Sequence, residues 1–361
     1  MPLMPLLRLL RLSRTRLSRV AAVLAIVLLA GSPAISRQSR PALPKVLILA
    51  TGGTIAGEQR EPGTLGPYEI RKTVNELVDL VPEIQKYAQV ETEQFLNVAS
   101  ARITPELWLQ LARRINTILA DRDDIAGVVV THGTDRLTET AFFLHLTVRS
   151  SKPVVVVGAY RPPTGISPDG PLNLLSAVRV AAAPEARDKG GMIVMDERII
   201  SARDAQKLYA RNGGFNDDEM GTLGIVAPHG VEFFYSSTRK HTANSDFDVS
   251  GIRALPRVDV HYLYAGADPA GRTDARGVVV ATTALAPDER TYYDALQKSG
   301  TVVATTFPSG AQVITPSSPY TEPQPMIAVK RLLPAHARIL LMLALTKTHD
   351  SREIQRIFDI Y

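Results

Sequence analysis

Along residues 45–361, short uninterrupted apolar runs alternate with longer stretches in which apolar positions recur at helical spacing. Val46–Leu49 is a buried-type strand that ends in Thr51-Gly-Gly-Thr54, and Val90–Val98 is a second extended segment. Thr104 followed by Pro105 and Glu106 marks a helix start, with Leu107, Leu111, Ile115 and Ile118 on one face. Gly127–Val130 predicts another buried strand, followed by Thr131-His-Gly-Thr-Asp135 and a helix through about Val148. Val154–Val157 and Met192–Met195 repeat the strand pattern. Strands alternating with helices indicate a parallel sheet covered by helices on both faces, with ligands beyond the carboxyl ends of the strands. The glycine-rich turns at 51–57 and 131–135 occupy those ends.

Polar sequence over 236–256 shows no period and reads as a linker. Beyond it, strands near Val258–Tyr262 and Gly277–Val280 and helices near Pro287–Lys298, Ala335–Leu345 and Ser351–Asp359 make a smaller unit. The expected fold is a two-domain α/β protein. A larger N-terminal parallel-sheet domain (45–235) with helices on both faces precedes a smaller C-terminal α/β domain (257–361).

Charge changes this picture only at the front. Residues 1–44 hold seven of the 41 basic residues and no acid, so the net +5 of the chain becomes −2 without them. A near-neutral remainder gives no reason to expect nucleic acid or an anionic membrane as partner. The basic stretch Arg8–Arg19, the apolar run Val20–Ala30 and the small residues Gly31, Ser32 and Ala34 have the parts of a secretory signal over 1–40. The run of 11 apolar residues is shorter than the about 20 a spanning helix needs. A retained anchor is the competing reading; ordinary secretion to the periplasm or medium, with no stable membrane association afterwards, is expected. Cysteine is absent, which excludes thiolate metal sites, and the seven histidines show no ligand-like spacing, so neither metal nor cofactor is expected.

Taken singly, the candidate residues decide nothing. Thr51-Gly-Gly-Thr54 admits a ligand close to main-chain N–H groups, yet it also fits an ordinary glycine turn. Asp135 suits a helix N-cap, Lys207 a solvated surface position, Tyr68 a loop aromatic and Ser100 a turn hydroxyl. Their combination is another matter. ATGGTIAG at 50–57, THGTD at 131–135, VGAYRP at 157–162, DGPLN at 169–173, ARDAQK at 202–207 and RKH followed by FDVS closely resemble the bacterial type II L-asparaginase and glutaminase-asparaginase family. The resemblance spans essentially all of 45–361, in one order.

It implies an amidohydrolase acting on asparagine or a similar small amide, usually a homotetramer built as a dimer of intimate dimers. Thr54 matches the nucleophile and Tyr68 the tyrosine beside it; Thr134, Asp135 and Lys207 match the second catalytic group. Ser100 matches a residue binding the substrate α-carboxylate, while Asp135 receives the α-ammonium. A threonine hydroxyl must lose its proton as it attacks, which explains the need for proton-carrying neighbours.

Three positions depart from the family pattern. Ala101 stands where glutamine is common, Leu285 where a polar side chain is expected, and the acid that reaches into a neighbouring subunit aligns near Ser318, with Glu322 the nearest acid. Each lost hydrogen bond to a charged group is worth roughly 1.5–3 kcal/mol, about one to two decades of affinity. Weakened preference for free L-asparagine is therefore expected. Two other readings compete: an exported binding protein on the same fold, and an intracellular amidotransferase subunit acting on aminoacylated tRNA. Two hydroxyls with a lysine and a carboxylate exceed what binding requires, and the export signal and near-neutral charge oppose the second.

Overall fold

The first strand, β1 (Lys45–Gly52), is apolar from Val46 to Ala50, and seven of its eight residues are buried. Such a strand cannot sit at a solvated edge, and it pairs in parallel on both sides. Its neighbours are β2 (Gln89–Val98), with Val46 opposite Val90, and β3 (Ile125–Thr131), with Val46 opposite Gly127. β4 (Val154–Val157) and β5 (Gly191–Met195) continue the parallel set. β6 (Arg198–Ser201), β7 (Gly224–Ala227) and β8 (Gly230–Phe233) complete a sheet of order β8-β7-β6-β5-β4-β3-β1-β2. The computed structural model describes residues 42–64, 66–217, 220, 222–268, 274–310 and 326–361. Residues 1–40, Ser318 and Glu322 lie outside the described residues.

Three strands that the apolar runs do not predict extend this parallel set: β6, β7 and β8 run antiparallel to their neighbours. Only Asp196 and Glu197 join β5 to β6, both at positive φ (52° and 60°), which is hairpin-turn geometry. A two-residue connection cannot carry a parallel crossover.

The helices are α1 (Val74–Asp79), α2 (Pro105–Asp121), α3 (Leu137–Thr147), α4 (Gly170–Ala182), α5 (Pro287–Lys298), α6 (Pro334–Leu345) and α7 (Ser351–Ile360). Thr104 caps α2 as expected, its side chain accepting from the Leu107 N–H. α3 is buried on nearly every side and packs between the large sheet and α6. A second, parallel sheet of β9 (Val258–Tyr262), β10 (Gly277–Ala281), β11 (Val302–Thr306) and β12 (Ile327–Ala328) lies on the other side of α6. The polar segment 236–256 is partly buried: Phe247 and Val249 are in the core, and Phe247 packs on Tyr361 with ring centroids 5.0 Å apart. Residues 43–361 thus form one compact unit. Among the described residues no helix is long and apolar enough to cross a membrane. Ile48 at the centre of β1 is fully buried, and its truncation to Ala would cost about 2–5 kcal/mol.

Four histidines are buried in this interior; His241 lies beside His145, and the other three are buried almost completely. Phe142 of α3 stacks against His145 (6.0 Å) and His336 (4.6 Å), and His132 directly follows β3. Burial pushes their imidazoles down, to about 4 for His132, about 3 for His145 and about 4 for His336. They stay neutral in the fold, whereas unfolded histidines take up protons as the pH falls below about 6.5. The unfolded chain then binds more protons, so stability drops as pH falls through this window and levels off above about pH 7. Each histidine adds at most about 1.4 kcal/mol per pH unit. Urea unfolding should show a midpoint markedly lower at pH 5 than at pH 7.5; equal midpoints would count against neutral histidines in the fold.

Candidate active site

β1 and β3 run parallel and adjacent, so the turns that follow them leave the sheet at the same edge. Gly52 and Gly53 make the first turn at φ 104° and 87°, in the left-handed region that glycine enters without strain. A Cβ on Gly53 would lie 2.3 Å from both Cα and N of Gly133, and one on Gly133 would lie 2.8 Å from Ser100 Oγ. The backbones of the two turns therefore touch, with Ser100 behind them. Thr51 Oγ1 donates to the Thr131 carbonyl at 2.7 Å and ties the same pair.

Thr54 opens a 3-10 turn (Thr54–Ala56) and is 7% exposed, with its hydroxyl at the cleft. Tyr68 stands on a two-stranded ribbon of Gly57–Gln59 and Tyr68–Ile70, and its Oη is 2.6 Å from Thr54 Oγ1. Across the cleft, Lys207 Nζ donates to Thr134 Oγ1 at 2.9 Å and to Asp135 Oδ1 at 2.6 Å. Asp135 does not cap α3: Arg136 occupies that position without a capping bond, and the Asp135 carboxylate faces Lys207 instead. Thr54, Tyr68, Ser100, Thr134 and Asp135 border one cavity of about 440 Å³.

Lys207 reaches the site from a ribbon of Gln206–Lys207 and Phe215–Asn216. Four residues earlier, buried Arg203 donates to the main-chain oxygens of Lys330 (3.1 Å), Arg331 (3.3 Å) and Tyr361 (3.1 Å). Its guanidinium also pairs with Asp204 at 2.8 Å. The VGAYRP and DGPLN segments interlock as well: Asp169 accepts from the N–H groups of Tyr160 (2.9 Å) and Arg161 (2.8 Å), and Gly158 packs against the His132 carbonyl.

Leu285 does not border the cavity; it packs against Val278, Val280, Tyr293, Val303 and Met326. Ala101 is exposed in the turn Ser100–Arg102. Sequence reasoning missed Glu69, Asn97 and Arg102, which also line the cavity. Arg102 had a signal, since it lies two residues beyond Ser100 in the same turn. Among the described residues no cluster of histidine and acidic side chains could hold a metal ion.

Residues 45–239 match the family model for the asparaginase N-terminal domain, and residues 257–358 match that for the glutaminase/asparaginase C-terminal domain. The chain belongs to the asparaginase family. It is 44% identical to L-asparaginase 2 of Bacillus subtilis (strain 168), over 90% of this chain and 89% of that one. It is also 36% identical to the glutaminase-asparaginase of Pseudomonas fluorescens biotype A, over 89% and 91% of the two chains. The crystal structure of a probable cytoplasmic L-asparaginase from Campylobacter jejuni superposes with a TM-score of 0.83 at 38% identity, covering 88% of this chain and all of that one.

In this asparaginase-family site, Gly57 leaves room for the Tyr68 ring: a Cβ there would sit 2.6 Å from Tyr68 Cδ2 and 2.9 Å from the Thr54 carbonyl. Gly57→Ala should push Tyr68 off Thr54 and lower kcat by about 10- to 100-fold, because small misplacements of reacting groups are this costly. Wild-type turnover in that variant would show that the close Tyr68 contact is dispensable.

Proposed function

We propose that the protein hydrolyses L-asparagine, and to some degree L-glutamine, to the corresponding acid and ammonia through an acyl-enzyme on Thr54. The observation that carries this reading is the convergence of two hydrogen-bonded groups on one cleft: Thr54 with Tyr68, and Thr134 with Lys207 and Asp135. Thr54 Oγ1 attacks the side-chain amide carbon while its proton passes to Tyr68 Oη, and Tyr68 gives up its own hydroxyl proton toward the amide nitrogen. Collapse of the tetrahedral intermediate breaks the C–N bond, and the nitrogen takes up a proton as it leaves as ammonia. Water then attacks the ester, its proton passing through the Thr134 hydroxyl, which Lys207 orients, to Thr54 Oγ1 as the acyl C–O bond breaks, and Thr54 is released as the free hydroxyl. Ser100 holds the substrate α-carboxylate and Asp135 its α-ammonium.

The front end and surface suggest where and how the enzyme works. Residues 1–40 act as a secretion signal, leaving a catalytic domain over 45–235 and a smaller domain over 257–361. Leu208, Tyr209, Phe234 and Tyr235 expose 51%, 42%, 52% and 63% of their area, which favours burial between subunits of a homotetramer.

Thr54→Ala should reduce ammonia release from L-asparagine by at least about 10⁴-fold with the fold intact. Substantial turnover by that variant would refute the nucleophile assignment. Alanine at 101 and leucine at 285, where the family resemblance implies polar side chains, leave fewer partners for the α-ammonium, although neither residue borders this chain's own cavity. Succinamic acid, which lacks the α-amino group, should then be hydrolysed with kcat/KM within about 100-fold of that for asparagine. A preference for asparagine of about a thousandfold or more would end the idea of lost contacts.

A further inference from the structure

Three side chains that the reaction above does not use run from the core to the peptide between Gly133 and Thr134. The Trp108 indole N–H donates to Thr140 Oγ1 at 2.9 Å. An indole nitrogen only donates, so the Thr140 hydroxyl proton is left for its other neighbour, His132 Nε2, at 2.9 Å. His132 Nε2 is thereby the acceptor and the ring proton sits on Nδ1. From there it is donated to the Gly133 carbonyl at 2.8 Å. Trp108 is 3% exposed, and Thr140 and His132 are fully buried, so water does not compete for these bonds.

Glycine at 133 imposes little torsional preference of its own, so the orientation of its peptide depends on what the carbonyl bonds. A trans peptide points its C=O and N–H in opposite directions. With the carbonyl held in the core by His132, the Thr134 N–H is turned the other way, to the side on which Gly133 and Thr134 line the cleft. That N–H donates to no group among the described residues.

We infer that His132 is a positioning residue, which through the Trp108–Thr140–His132 chain aims the Thr134 N–H at the oxyanion formed when Thr54 attacks. The inference rests on the amidase reading. Donors fixed before charge develops are what such an intermediate needs, and removing one costs about 10²- to 10³-fold in kcat. Burial keeps the ring neutral, with its pKa pushed down to about 4, and the bonds to Thr140 and Gly133 then hold it in one tautomer at neutral pH.

The test uses three variants of the full chain. His132→Phe removes the donor, His132→Asn keeps an N–H near the position of Nδ1, and Thr140→Val removes the hydroxyl that selects the tautomer. The first should lower kcat for L-asparagine about 100-fold with KM within about threefold. Asparagine at 132 should recover at least about tenfold of that loss. Thr140→Val should lower kcat without raising KM, and it carries the test alongside His132→Asn if His132→Phe does not fold.

Aspartate β-semialdehyde, whose adduct with Thr54 develops a tetrahedral oxyanion, should lose affinity in step with kcat. L-Aspartate should not. Nitrogen NMR of the resting enzyme should find the His132 proton on Nδ1. A proton on Nε2, an Asn variant no better than Phe, or a Thr140→Val enzyme with wild-type kcat would overturn the proposal. The tautomer is read without turnover, so its failure is distinguishable from failure of the nucleophile assignment, which Thr54→Ala tests.

Discussion

The contact on which the site depends is made by backbone alone. Gly53 and Gly133 approach so closely that no side chain fits between them, and this brings the turns after β1 and β3 to opposite walls of one cleft. Parallel pairing delivers both turns to the same sheet edge, and the absent Cβ atoms let them meet. Thr54 and Thr134 each follow one of these glycines directly, so their hydroxyls are placed by the backbone contact rather than by flexible side chains. The same contact sets Ser100 behind the cleft, since it packs against Gly133.

Around this pair the chain adds restraints of different kinds. Tyr68 comes from a small ribbon, Lys207 from another, and each reaches its threonine through one hydrogen bond. Asp135 neutralises Lys207 from an exposed position, where solvent screens the pair, so its worth lies in aiming the amine more than in stability. The folded interior behind the cleft is polar where it needs to be: His132, Thr140 and Trp108 satisfy one another.

Much of the fold was legible in the apolar runs. β1, β3, β4 and β5 are short, continuous and buried, and their spacing with helices could only suit a covered sheet. The antiparallel edge was not, because β6 to β8 are four residues each and only the connection between them sets direction. α4 was read merely as a motif, since Asp169 at its start spends its carboxylate on Tyr160 and Arg161 rather than on a cap. The segment 236–256 lacks a period for a related reason: it is anchored by Phe247, Val249 and bonds to the end of α7, none of which repeats along the chain. At the site, Thr54, Thr134 and Asp135 stood out through their glycine-rich turns. Lys207 lies 73 residues from Thr134, and only the resemblance to relatives, not spacing, could join them. Arg102 stayed hidden because an arginine in a short turn is ordinarily solvated.

Arg203 stands four residues before Lys207 and grips the second half of the molecule by main-chain oxygens at Lys330, Arg331 and Tyr361. Oxygens of the backbone are the same whatever side chain follows them. The side chains at those three positions are therefore free to drift as far as this clasp is concerned, while the guanidinium is not. Mutational tolerance across the joint is lopsided, strict on the side that bears Lys207 and lenient on the side that is held.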